Sequence, residues 1–221
     1  MDDFENACAL YNAFHIKMES DKKDYEFVAQ SMRDEVDKEN LILDMINDLG
    51  LVRTRRIFVK MDANSLPEFP TLSDQDLYRI SLGSYRPKLA PSYYADHVKG
   101  KGKYEIQICR EPESLDFEKY NIKVSEPLLL RVQLLSRHSK SVHHMAFILC
   151  DLQKSGSDSG IEYSCQCKAG TRTIGCCAPI MAVLWYLGNG RHQPEIKEPA
   201  KFLDDFFEDC ITVESDISDG D

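Results

Sequence analysis

Residues 22–48 read KKDYEFVAQSMRDEVDKENLILDMIND, with no glycine or proline and with apolar residues at helical spacing. Phe27, Val28, Met32 and Val36 share one face of a 3.6-residue repeat, and Leu41, Ile42, Met45 and Ile46 share another. One or two helices are predicted, stopping near Gly50. The next stretch, MDANSLPEFPTL at 61–72, has two prolines and no period, which marks a linker. Ser73 then opens SDQDLYRISLGSY, a helix with acids in its first turn and Ser73 as N-cap. A further helical stretch, APSYYADHV, stops before KGKGK.

After that loop the period changes from helical to alternating. YEIQICR at 104–110, LLLRVQLLS at 128–136, HHMAFILC at 143–150 and GIEYSC at 160–165 are short runs at short intervals, the signature of an antiparallel meander. Residues 111–127, rich in Glu, Pro and Asp, read as a long loop outside the core. APIMAVLWYLG at 178–188 is a helix with Ile180, Val183, Leu184 and Leu187 as its apolar stripe. The fold class expected is therefore α+β. It comprises an N-terminal helical segment at 1–60, a linker at 61–72, a helix-plus-meander domain at 73–207 and an acidic, disordered tail at 208–221.

Charge refines this picture. The net charge is −10, but residues 1–49 carry 13 acids against 5 bases and residues 195–221 carry 10 against 2. Residues 50–103 reverse the balance with 10 bases to 5 acids, as do residues 128–194 with 7 to 3, so acidic ends flank a basic middle that could meet phosphate. The competing reading is an ordinary mixed surface. No run reaches the length of apolar chain that spans a bilayer, and MDDFENACALYNAFH lacks the basic start of a signal peptide. An intracellular protein with no membrane partner is expected, nuclear rather than cytoplasmic. In a reducing compartment, clustered thiols point to metal before disulfides.

Half of the eight cysteines fall within CQCKAGTRTIGCC at 165–177. Two thiolates one residue apart can grip one ion from a strand end. The loop KAGTRTIG, glycine-flanked, lets the chain return to Cys177 at the mouth of the following helix. Closed structural zinc is tetrahedral and takes four sulfur or nitrogen donors, of which Cys165, Cys167 and Cys177 supply three. Cys176, pointing differently from its neighbour, could donate the fourth; water is an alternative. His143 and His144 open a neighbouring strand and could approach, whereas His192 lies roughly 20 Å down the helix and is too far. The competing reading makes these thiols buried small hydrophobes, which is the reading adopted for the scattered Cys8, Cys109, Cys150 and Cys210.

The same stretch resembles a SWIM-type zinc finger, whose pattern is Cys-x-Cys, a variable loop, then Cys-x-His. SRHSKSVHHMAFI, YSCQCKAGTRTIGCC and AVLWYLGNGRHQPEI are similar to the C-terminal region of transposon-derived, DDE transposase-like animal proteins. LSDQDLYRISLGSYRPKLAPSYYADH resembles the segment before the finger, so the likeness spans about residues 68–207, with the finger at about 143–190. The nuclease core that precedes this region in longer relatives is absent, and the family's histidine falls on Pro179. The resemblance implies zinc as cofactor and contact with nucleic acid or protein. For nucleic acid, Lys168, Arg172 and Arg137, with Arg131 and Lys140, would meet phosphate around the knuckle.

A catalytic reading finds little to build on. One of the histidines in SRHSKSVHH paired with Cys150 or Cys167 is conceivable, yet Cys-x-Cys is a ligand spacing without an obvious acid–base partner. The carboxylates lie mainly in the helical N-terminal part and the tail, not gathered on strands as two-metal phosphoryl transfer requires. No enzyme and no small-molecule substrate are expected. Two alternatives stand beside the zinc module: a protein-interaction module without metal, with Trp185 and Tyr186 as anchors, and a decayed transposase fragment without a selected role.

Overall fold

The computed structural model describes residues 25–36, 38–66, 68–97, 104–136, 141–154, 156, 160–170 and 175–196. Two helices come first, α1 (Tyr25–Val36) and α2 (Leu41–Asp48), separated where Asn40 caps α2 by accepting from the Leu43 N–H. The single periodic stretch of sequence is thus two helices. The short strand β1 (Phe58–Met61) follows, then α3 (Asp74–Ser81) and α4 (Tyr85–His97). Ser73 caps α3 in a full capping box with Asp76, as its position before two acids predicts. α4 begins several residues earlier than expected and carries Pro91 inside it.

The remaining strands are β2 (Tyr104–Cys109), β3 (Pro127–Leu135), β4 (His143–Asp151) and β5 (Glu162–Cys165), and α5 (Ala178–Gly188) comes after them. All five strands pair antiparallel in the order β1-β2-β3-β4-β5, a meander with one more strand than the alternation predicts. β1 escapes sequence reading because FVKM is only four residues long. Its pairing of Phe58 with Cys109 and Met61 with Ile106 makes residues 58–61 part of the sheet. The mixture of helices with this antiparallel sheet is α+β.

Both faces of the sheet are covered, and this explains the nearly unbroken apolar run of β3. Side chains alternate along a strand. Leu128, Leu130, Val132 and Leu134 therefore enter one core together with Ile106, Ala146 and Ile148. α5 lies against that face, buried at every position from Pro179 to Gly188 except Tyr186. The expected stripe of Ile180, Val183, Leu184 and Leu187 is only part of its buried surface. Trp185 packs edge-on against Tyr94 at 5.8 Å and is buried, so it is not available as an exposed anchor. The stretch 61–72, read from its prolines as a linker, carries Leu66, Phe69 and Leu72 into this same core.

The opposite face takes Leu129, Phe147 and Leu149 into a second core with Ile42, Met45 and Ile46 of α2. Residues 111–127 also differ from expectation, since Phe117, Tyr120 and Ile122 fold into that second core. Among the described residues, no helix is long and apolar enough to cross a membrane. The acidic tail at 208–221 and the N-terminal ENACALYN lie outside the described residues.

Candidate metal centre

β5 ends at Cys165, opposite Ala146 of β4, and the Gln166 N–H extends the ladder one step by donating to the Met145 carbonyl at 3.0 Å. The chain then turns. Gly170 N–H donates to the Cys167 carbonyl at 3.0 Å and approaches Cys167 Sγ at 3.1 Å, while Cys167 N–H faces Cys165 Sγ at 3.5 Å. Backbone N–H groups directed at sulfur favour the thiolate form. A β-carbon on Gly170 would lie 2.6 Å from the Cys165 carbonyl oxygen and 2.9 Å from its Cβ, so only glycine lets the turn close this tightly.

The return limb is held by Gly175, whose φ is +73° and whose absent β-carbon would stand 2.7 Å from the Ser81 carbonyl oxygen at the end of α3. This leads directly into Cys177, the N-cap residue of α5, with extended backbone angles. Pro179 follows in the first helical turn, where its missing N–H costs nothing.

The Sγ atoms of Cys165, Cys167 and Cys177 all lie within 4.8 Å of one another. Their residues are 4%, 7% and 2% exposed. Two of them sit on one strand-end turn and the third comes from the return limb, and the fold brings all three to one point beside the α5 N-terminus, whose dipole favours negative charge. Cys165 is pushed up strongly by its hydrogen bonds with Cys167 and Cys177 and by burial. Cys167 is pushed down, because Cys165 and Cys177 direct hydrogen bonds at it and the Gly170 and Ala169 N–H groups add to them against burial. Cys177 is lowered by Cys165 but raised more by Cys167 and burial together, to about 12.

The buried trio thus favours the thiolate at Cys167 and the thiol at Cys165 and Cys177, since repulsion opposes a second charge. A divalent cation would replace those two protons and, with three thiolates, leave the net charge unchanged while screening the repulsion between the sulfurs. The donor set could bind metal.

Cys176 stands outside this set. Its thiol is buried in the main core, as the other three are, and burial pushes it up. His143 and His144 occupy the first two positions of β4, opposite Leu135 and Leu134, and His192 lies beyond the far end of α5. Cys109 and Cys150 are free and buried, in agreement with their reading as small hydrophobes, while Cys8 and Cys210 lie outside the described residues. Cys150 cannot pair with His144, because six residues of one strand, about 20 Å, separate them.

The basic residues divide. Lys168 is exposed on the turn after Cys167; Arg172, Arg137 and Lys140 lie outside the described residues. Arg131 is a correction, since it is 4% exposed and meets no solvent phosphate. Its guanidinium donates to the carbonyls of Leu51 (2.8 Å) and Thr54 and to Gln107 Oε1 (2.6 Å), and it lies 4.1 Å from the Phe58 ring centroid. Burial lowers its pKa, though a guanidinium stays charged. Nothing in the run LLLRVQLLS distinguishes an arginine facing solvent from one facing a covered sheet. No family model matches this chain, and no curated protein and no solved structure matches it.

Proposed function

We propose that the chain is a non-catalytic SWIM-type module of transposable-element descent that binds zinc through Cys165, Cys167 and Cys177 and serves as a binding domain. The observation that carries this reading is the gathering of three buried sulfurs within 4.8 Å at a strand end and a helix mouth. Sulfur donors at this spacing suit zinc better than hard cations, which take oxygen. Nuclear nucleic acid is the partner favoured by the exposed Lys168 on the knuckle turn and by the basic middle of the sequence. Binding of this kind is electrostatic and weakens steeply with salt.

Metal content after purification under reducing conditions tests the first half. About one zinc ion per chain is expected, and Cys165→Ser or Cys177→Ser should abolish retention. A parent chain without metal that also takes none up on titration would sink the reading. Gel shift of duplex DNA at low and raised salt tests the second half; no shift at low salt would exclude it.

A second reading, a protein-interaction module, draws on α1. Phe27, Met32 and Val36 are 49%, 39% and 62% exposed, apolar side chains on a helix otherwise rich in charge. This surface, rather than the buried Trp185, is where a protein partner would dock.

A further inference from the structure

Three sulfurs leave a tetrahedral zinc ion one bond short. Water is disfavoured as the fourth ligand because all three cysteines are buried. Cys176 is not among the three sulfurs that lie within 4.8 Å of one another, and Pro179 has no donor atom. His192 lies past the end of an 11-residue helix that starts at the site and is itself about 16 Å long. His143 and His144 are neighbours on β4, the strand paired with β5, and the pleat of the sheet separates them.

His144 pairs with Leu134, which is buried in the same core as Cys165, and it stands two residues from Ala146, the partner of Cys165. Directly opposed residues and residues two apart share a face. His144 therefore belongs to the face of the sheet on which Cys165 lies, diagonal to it across the β4–β5 ladder. His143 is exposed and belongs to the other face. Diagonal β-carbons across such a ladder are about 7–8 Å apart. Zinc–sulfur and zinc–nitrogen bonds of about 2.3 and 2.1 Å, with the lengths of the two side chains, bridge that gap.

We infer that His144 supplies the fourth donor to the metal held by Cys165, Cys167 and Cys177, an inference that rests on the metal reading above. In the present conformation the imidazole nitrogens are not within the 4.8 Å set, so ligation requires rotation about the side-chain torsions of His144. The ion closes the site between β4, β5 and α5.

Cobalt(II) titration of the full reduced chain tests this, since cobalt reports the sulfur count through its charge-transfer band and the geometry through its visible d–d bands. The parent should show tetrahedral d–d bands. His144→Ala should keep the thiolate charge-transfer band, shift or weaken the d–d bands as water enters, and lose at least about tenfold in cobalt affinity. His143→Ala should match the parent. His144→Cys should restore a tetrahedral spectrum with a stronger charge-transfer band, a gain that a merely structural role for His144 would not produce, and it is read even where the alanine variant fails to fold. A parent-like His144→Ala spectrum, or the same change on Cys176→Ala or His143→Ala instead, would overturn the assignment while leaving the metal reading intact. A parent chain that binds no cobalt would overturn both.

Discussion

Replacing Arg131 by methionine keeps most of the side-chain volume and removes the charge, and the structure sets the cost. The guanidinium satisfies the Leu51 and Thr54 carbonyls, which join α2 to β1, and bonds Gln107 on β2. It also rests on the Phe58 ring. Hydrogen bonds from a charged donor contribute about 1.5–3 kcal/mol each and are not additive, and a partly desolvated cation–π contact adds about 0.5–2 kcal/mol. Relief of guanidinium desolvation offsets part of this. A net loss of about 3–5 kcal/mol follows, the range for truncating one side of a buried charged network. With a urea m-value of about 2 kcal/mol/M, the unfolding midpoint should fall by about 2 M. Urea denaturation monitored by circular dichroism reads this, alongside the salt dependence of any DNA binding in the folded variant. A phosphate contact predicts the opposite pattern: little change in midpoint, and a salt slope reduced by about one. That outcome would refute the buried role.

Three further outcomes are expected. Gly170→Ala should lower both metal retention and stability, by about 1–3 kcal/mol for overpacking, because its β-carbon meets backbone of Cys165 rather than a movable side chain; unchanged zinc content on dialysis would count against the closeness of the turn. Stripping metal with a chelator should lower the thermal midpoint of the parent but not of Cys177→Ser, since binding and folding are linked, and differential scanning calorimetry compares the two. Asp151 concerns pH: burial pushes its carboxyl up, but N–H groups of Ser125, Glu126 and Gln153, helped by Lys154, outweigh that and hold it below its ordinary range. Its contribution is therefore present above the unfolded value of about 3.9 and is lost as pH falls through the lower folded value. Asp151→Asn should lose about 1–2 kcal/mol at neutral pH and show a flatter acid limb in urea midpoints; equal acid limbs would contradict this.

Local order was largely legible in the residues. The alternation at 104–110, 128–136, 143–150 and 160–165 located four strands, and the Ser73 cap with acids behind it located the start of α3, because cap chemistry and pleat periodicity are properties of neighbouring residues. Cys-x-Cys with a glycine-flanked return to Cys177 named three thiols that the fold does gather.

What the chain could not disclose by itself were choices made between distant segments. Four residues of FVKM acquire strand identity only by pairing with β2. Leu66, Phe69 and Leu72, set among prolines without any period, become core because the main core opens where their backbone crosses it. Arg131 turns inward because α2 and the loop after it lay carbonyls over the second face of the sheet. Cys176 and Cys177, adjacent and chemically identical, part company: both are buried in the main core, but only Cys177 joins the sulfur cluster. The sequence by itself determined which residues prefer helix, strand or thiolate chemistry, since those preferences act over a few bonds. Which face each side chain meets was decided by tertiary structure, because burial depends on what arrives from elsewhere in the chain.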